Sequence, residues 1–101
     1  MLRISAIAVG PDAITLKLEG KLLEAWCGEL RLACQLAREQ ASHVALDLMD
    51  VSFIDSAGLD LLRTLLRRGI TISRRSSFVA ELLHGLEGLQ GLETATESER
   101  V

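Results

Sequence analysis

Apolar and polar side chains alternate along the first twenty positions, and a period of two is typical of a β-strand that buries one face. In the second half of this stretch, Ile14, Leu16 and Leu18 alternate with polar residues. The sequence Gly10-Pro11-Asp12 is a turn signal between the two apolar series. We therefore predict an antiparallel hairpin that ends at Gly20. The apolar positions of its first strand are Leu2, Ile4, Ala6 and Ala8.

The period changes to 3.6 from Leu22 to about Ala41, and this periodicity predicts an amphipathic helix. Leu32 and Leu36 widen its apolar arc, so we expect them to be partly exposed. The positions on the predicted inner side are Leu22, Trp26, Leu30, Ala33 and Ala37. The opposite side carries Glu24, Arg31, Gln35, Arg38 and Glu39.

The rest of the chain alternates predicted strands with predicted helices. His43–Met49 is apolar on both faces, as a central strand is, and helices are predicted from Ser56 to Arg68 and from Phe78 onward. A short strand over 70–72 and a loop over 74–77 separate the two helices. The glycines at 85, 88 and 91 favour a loop or a frayed helix end.

This order predicts an α/β fold with a small mixed β-sheet, in which an N-terminal antiparallel hairpin is followed by parallel strands. We expect the helices to pack mainly on one face. Residues 1–92 form one predicted domain, and 93–101 form a polar C-terminal tail.

Composition narrows the possible functions. Apolar residues make up 49% of the 101 positions and the net charge is -3, so bulk positive charge for nucleic-acid binding is missing. No apolar run reaches the roughly 18–20 residues that span a bilayer. The N-terminus carries one arginine before a short apolar run and Gly10-Pro11-Asp12, which indicates a strand and not a signal peptide. We therefore expect a cytoplasmic protein without membrane insertion.

Candidate catalytic and metal-binding residues form no recognisable set. Cys27 and Cys34 lie two helical turns apart, roughly 10 Å, which is too far for a disulfide and is no zinc spacing, so both are predicted to be buried. His43 and His84 lie on unlike elements. The aspartates lack the spacing of a metal-binding loop. We predict no enzyme activity, no metal and no cofactor. The aspartates considered are Asp47, Asp50, Asp55 and Asp60.

The junction between the central strand and the helix that begins at Ser56 is the most informative place in the chain. The first N–H groups of a helix have no intrahelical partner and carry partial positive charge, so this end attracts an anion such as phosphate. Asp55 is the better candidate for the helix cap, although Ser56 could also be a plain cap. Gly58 allows close approach by a neighbouring strand or by a partner's backbone. One polar stripe is expected on this otherwise apolar helix: Ser56, Asp60, Arg63, Thr64 and Arg67.

Two segments resemble the signature of the STAS domain family, which includes the bacterial anti-sigma factor antagonists. The first is Val51-Ser-Phe-Ile-Asp55-Ser56-Ala57-Gly58-Leu59, preceded by Ala45-Leu-Asp-Leu. The second is Leu16-Lys-Leu-Glu-Gly20-Lys-Leu, which is similar to the family's entry to its first helix. The resemblance covers roughly residues 13–86. The sequence departs from the family at Asp60, where many members have glycine, and at Ser73-Arg74-Arg75, where the family has Asn-Pro.

The resemblance implies a mixed sheet with helices and a phosphorylation switch. In antagonists of this type, an anti-sigma factor that is itself a serine kinase phosphorylates the serine matching Ser56. The unphosphorylated form binds this kinase and releases the sigma factor, and a phosphatase resets the cycle. We expect the partner to bind the start of this helix and its polar stripe, that is, Asp55, Ser56, Ala57, Gly58, Asp60, Arg63, Thr64 and Arg67.

Two alternatives stay open on the sequence. A STAS subunit could dock constitutively on the ATPase of a membrane transporter through the same helix. A small-molecule sensor could bind a nucleotide or lipid between sheet and helix. The sequence does not define the oligomeric state.

Overall fold

A computed structural model describes residues 1–84. Its elements follow the predicted order. They are β1 (Leu2–Gly10), β2 (Ala13–Leu22), α1 (Glu24–Gln40), β3 (His43–Ile54), α2 (Ser56–Arg67), β4 (Thr71–Arg75) and a helix over 77–84, α3. The predicted glycine-rich segment and polar tail lie outside the described residues. No helix within 1–84 is long and apolar enough to cross a membrane.

The four strands form one mixed sheet in the order β1-β2-β3-β4. β1 pairs antiparallel with β2, whereas β2–β3 and β3–β4 are parallel. In the middle of the sheet, Leu16 lies opposite Leu46 and Leu46 lies opposite Ile72. The predicted α/β fold, with its hairpin followed by parallel strands, is therefore confirmed.

The hydrophobic core lies between one face of the sheet and the helices. Because successive side chains of a strand point to opposite faces, β2 and β3 each direct alternate leucines toward the helices. The fully buried strand residues include Leu16, Leu18, Leu46 and Leu48. The helices contribute Cys27, Leu30, Cys34, Ala37, Leu61, Leu62, Leu65, Val79 and Leu83. Both cysteines are buried, as predicted, and Leu32 and Leu36 are exposed, as expected.

The opposite face of the sheet carries charged pairs across neighbouring strands. Lys17 Nζ lies 3.5 Å from an oxygen of Asp50. Asp47 is buried there; its Oδ1 accepts a hydrogen bond from Met49 N–H at 3.0 Å, and its Oδ2 lies 3.6 Å from Arg74. These polar contacts compensate the buried carboxylate of Asp47 for the water it has lost.

Three predicted boundaries were wrong, and strand pairing explains each. β3 extends past Met49 to Ile54 because it pairs with β2 through two register shifts, and such irregularities disturb a period-two pattern. β4 continues through Arg75, where we predicted a loop, because Asp47 and Leu48 pair with its arginines. Leu22 ends β2 and does not begin α1.

Gly20 and Asp12 hold the turns around the sheet. Gly20 has φ 111°, which favours glycine, and a Cβ there would overlap the Met1 carbonyl. Asp12, in the hairpin turn, accepts a hydrogen bond from Ser42 N–H at 2.8 Å. This bond holds the pKa of the Asp12 carboxyl below its ordinary value. The hairpin turn is thereby tied to the connection between α1 and β3.

Candidate functional site

The carboxylate of Asp55 caps two helices at the end of β3. Its Oδ1 accepts a hydrogen bond from Gly58 N–H at 2.8 Å, which caps α2. Its Oδ2 accepts one from Glu24 N–H at 2.9 Å, at the first residue of α1. The Asp55 N–H itself donates to the Leu22 carbonyl at 3.1 Å, which extends the contact between β2 and β3. A single side chain therefore fixes where both helices begin.

Ser56 is the first residue of α2, and its side chain is exposed. Among residues 1–84, no hydrogen bond to its hydroxyl is present, and the cap of α2 is made by Asp55. The prediction that Asp55 is the cap is therefore confirmed. The Ser56 hydroxyl is left accessible at the positive end of the helix dipole.

Gly58 sets the distance between α2 and the end of β2. A Cβ at this position would lie 2.7 Å from the Leu22 carbonyl oxygen and 2.9 Å from a methyl group of Ile54. The sequence offered two reasons for this glycine, close approach by a neighbouring strand or by a partner's backbone. The structure shows the first, because the end of β2 lies against Gly58. Gly58 is buried, so it belongs to the packing beneath the site and not to the exposed surface.

The polar stripe of α2 lies on the solvent side of the helix. Asp60, Arg63 and Arg67 are exposed, whereas Thr64 is half-buried and its hydroxyl donates to the Asp60 carbonyl at 3.2 Å. Ala57 is half-buried beside Ser56. The other side of the helix is buried through Leu61, Leu62 and Leu65. The stripe and the Ser56 hydroxyl therefore share one accessible surface.

Phe53 is an exposed aromatic residue three positions before Ser56, although the sequence analysis did not single it out. Its side chain is 45% exposed, two residues before Asp55, and it pairs in register with exposed Lys21. Counting alternate positions from the buried Leu46 and Leu48 puts Phe53 on the outer face of β3, and this spacing is the sequence signal that could have found it.

Two carboxylates lie near Ser56 in the sequence and on the helix, those of Asp55 and Asp60. Asp55 precedes it, the Glu24 backbone is bound to Asp55, and Asp60 lies one turn further along the same side of α2. Burial raises the pKa of the Cys27 thiol, and the Asp55 carboxylate adds to that rise. In the described part of the chain, no cluster of three or more potential ligands could hold a metal.

The family model of the STAS domain matches residues 6–83 of this chain. The chain therefore belongs to the STAS domain family, as the two sequence segments suggested. No match to a curated protein is found by sequence.

Solved structures share the fold at low sequence identity. The anti-sigma factor antagonist SpoIIAA in its unphosphorylated form has a TM-score of 0.67 at 22% identity, over 97% of this chain and 92% of that chain. The Bacillus cell fate determinant SpoIIAA in its phosphorylated form has a TM-score of 0.65 at 21% identity, over 97% and 96%. An uncharacterised DUF3478-family protein of Shewanella loihica with a SpoIIAA-like fold has a TM-score of 0.58 at 10% identity, over 87% and 78%.

Proposed function

We propose that this protein is a regulatory binding module of the anti-sigma factor antagonist type, switched by phosphorylation of Ser56. The observation that carries the proposal is that two adjacent residues have different roles. Asp55 caps α2, whereas the neighbouring Ser56 hydroxyl is exposed and makes no hydrogen bond within residues 1–84. The side chain that caps the helix is therefore not the one that would be modified. Here the modification leaves the cap in place. The STAS fold and its likeness to SpoIIAA support the same assignment.

The partner proposed is an anti-sigma factor that is also a serine kinase. The kinase transfers the γ-phosphoryl group of ATP to Ser56 Oγ, so an O–P bond forms as the bond to ADP breaks, and the hydroxyl proton passes to a base of the kinase. This chain supplies only the acceptor oxygen and the surface that binds the kinase. The contacting residues proposed are Asp55, Ser56, Ala57, Asp60, Arg63, Thr64, Arg67 and, from the structure, Phe53.

Phosphorylation changes the charge of this surface more than its shape. A phosphate adds about -1.5 to -2 charges at neutral pH, beside the carboxylates of Asp55 and Asp60. The positive end of α2 offsets part of this charge within the molecule. An acidic partner surface that approaches Ser56 is then repelled by the phosphate. An apolar partner surface would remove water from the phosphate, which weakens binding. Release of the kinase after phosphoryl transfer follows, and a phosphatase restores the binding form.

The experiment is a phosphorylation assay with a cognate anti-sigma kinase, ATP and the intact chain, read by mass spectrometry with site assignment. Ser56→Ala should abolish incorporation. Ser52→Ala and Ser77→Ala are matched controls, because both serines are exposed and lie outside the proposed acceptor position; both variants should be phosphorylated like the parent. Phosphate on another residue, or a kinase complex in which Ser56 stays unphosphorylated after incubation with ATP, would contradict the proposal. The second result would favour constitutive docking.

A further inference from the structure

β1 is an edge strand with an unusual lack of charged side chains. It pairs only with β2 within the described part of the chain, so its outer row of backbone donors and acceptors faces solvent. Arg3 is the one charged residue among its nine positions. Ile7 is 45% exposed and Val9 is 60% exposed. Proteins usually protect such an edge with charges, proline or a short strand.

The opposite edge of the sheet shows that protection. β4 has only five residues, and two of them, Arg74 and Arg75, are exposed arginines. The pairing between β1 and β2 is regular from Leu2 to Ala8, and its one irregularity lies at the hairpin end. The contrast identifies β1 as the edge that is open to another strand.

An apolar groove of about 480 Å³ lies beside β1, between the hairpin and α1. Ile4 and Ala6 of β1 line it on the sheet side, and Leu32 and Leu36 line it on the helix side. The two leucines are 55% and 48% exposed. Exposed apolar surface next to an unpaired strand edge is typical of a protein interface.

We propose that the occupant of this edge is a second copy of the chain, paired β1 to β1 in antiparallel fashion about a two-fold axis. Only an extended backbone satisfies a row of unpaired strand donors and acceptors, and β1 itself provides one. In a pair centred near Ala6, Arg3 lies opposite Val9 of the partner subunit. The two Arg3 side chains are then six residues apart along the strand, roughly 20 Å, so the pairing brings no like charges together.

The groove supports the same partner. A two-fold axis beside β1 places the two α1 helices on the same side of the joined sheet and antiparallel to each other. Glu29 and Gln40 both line the groove and lie eleven residues apart on α1, so the antiparallel arrangement sets a carboxylate toward an amide and not toward a second carboxylate. Leu32 and Leu36 lie between Glu29 and Gln40 along α1. In the dimer, the same leucines of the two copies meet and shield both carboxylate–amide pairs from water.

The resulting dimer has one continuous eight-stranded sheet, twice the four strands of one copy. Ser56 follows β3, which is two strands away from the β1 edge. Dimer formation therefore leaves both phosphorylation surfaces open, and the proposal stands or falls independently of the proposed function.

Sedimentation equilibrium of the full chain tests this inference. At about 100 µM, we expect a mass of twice 11.0 kDa for the parent protein, because dimer populations follow concentration by mass action. Ile7→Lys and Leu36→Lys place a charge on β1 and on α1, and each should raise the dissociation constant at least tenfold. Both side chains are exposed, so circular dichroism should show an unchanged fold. Thr71→Lys places the same charge on the exposed edge strand β4 and should leave the dimer intact.

A parent protein that stays at 11.0 kDa over this concentration range would overturn the proposal. A dimer that Ile7→Lys and Leu36→Lys weaken no more than Thr71→Lys does would also overturn it, because the interface would then lie elsewhere. Hydrogen exchange gives a second measurement. The amides of β1 should become more protected as concentration rises, whereas those of β4 should not.

Discussion

The carboxylate of Asp55 accepts a hydrogen bond from the backbone N–H of Glu24 at 2.9 Å, across 31 positions of sequence. The same carboxylate caps α2 through Gly58 N–H. This contact joins the start of α1 to the start of α2 and positions the first turn of α2, which carries Ser56. It also means that the acidic residue of the family signature has a structural task that is separate from partner binding.

Replacing Asp55 by alanine removes both caps at once. A lost N-cap costs about 1 kcal/mol, so the free energy of unfolding should fall by about 2 kcal/mol for Asp55→Ala. Asp55→Asn keeps one carbonyl acceptor and should lose less. Urea unfolding followed by circular dichroism measures both. Asp60→Ala is the control on the same helix, because Asp60 is exposed and its side chain makes no cap; a loss in Asp60→Ala equal to that in Asp55→Ala would contradict the two-helix cap.

Gly58 and Gly28 form a matched pair of helical glycines with opposite surroundings. A Cβ at Gly58 meets the Leu22 carbonyl at 2.7 Å, whereas a Cβ at Gly28 has nothing within 4 Å. Overpacking costs typically 1–3 kcal/mol, so Gly58→Ala should destabilise the fold by about that amount. Gly28→Ala should stabilise it by up to about 1 kcal/mol through helix propensity. Thermal unfolding of the two variants tests this, and a Gly58→Ala protein as stable as the parent would show that α2 can move off β2 without cost.

Phe53 should be an anchor for the partner that binds at Ser56. Aromatic side chains are enriched in interfaces, and truncating one that contributes strongly costs more than about 1 kcal/mol of binding. Phe53→Ser should therefore weaken kinase binding about tenfold, as measured by titration calorimetry. Phe78→Ser is the control, because Phe78 is equally exposed, at 46% against 45%, on α3. Equal losses in the two variants would remove Phe53 from the proposed surface.

The buried thiols predict how stability changes in alkaline solution. Burial raises the pKa of the Cys34 thiol from its ordinary value of 9.0 to about 11. The folded state therefore disfavours the thiolate, and its advantage is complete below pH 9 and is lost as pH rises from 9 toward 11. The urea midpoint should fall over this window. The fall should be smaller in Cys34→Ala, since that variant lacks the group; an identical fall in both would assign the effect to other residues.

The sequence predicted the fold well where periodicity was strong and the site well where the chemistry was local. The hairpin, both long helices and the cap at Asp55 follow from side-chain spacing and from the preference of carboxylates for helix N-termini. The double cap could not be predicted, because the Glu24 N–H reaches Asp55 only through the tertiary fold.

Strand ends were less predictable than strand centres. The register shifts between β2 and β3 break the alternation at the point where β3 approaches the site. From the sequence, we predicted that the arginines of β4 lie in a loop. They continue the sheet because Arg74 pairs with Asp47 of β3 and its side chain contacts the Asp47 carboxylate. Pairing between strands that are distant in sequence decides these boundaries, and local propensity does not carry that information.

The central claim is that charge on the Ser56 oxygen controls binding of a kinase partner, and the most direct measurement compares two forms of the same protein. The affinity of the partner kinase is measured by titration calorimetry for the unmodified chain and for the chain phosphorylated at Ser56. The account predicts that phosphorylation weakens binding at least tenfold while the unfolding temperature changes little, since the Asp55 cap stays in place. Equal affinity of the two forms would contradict it.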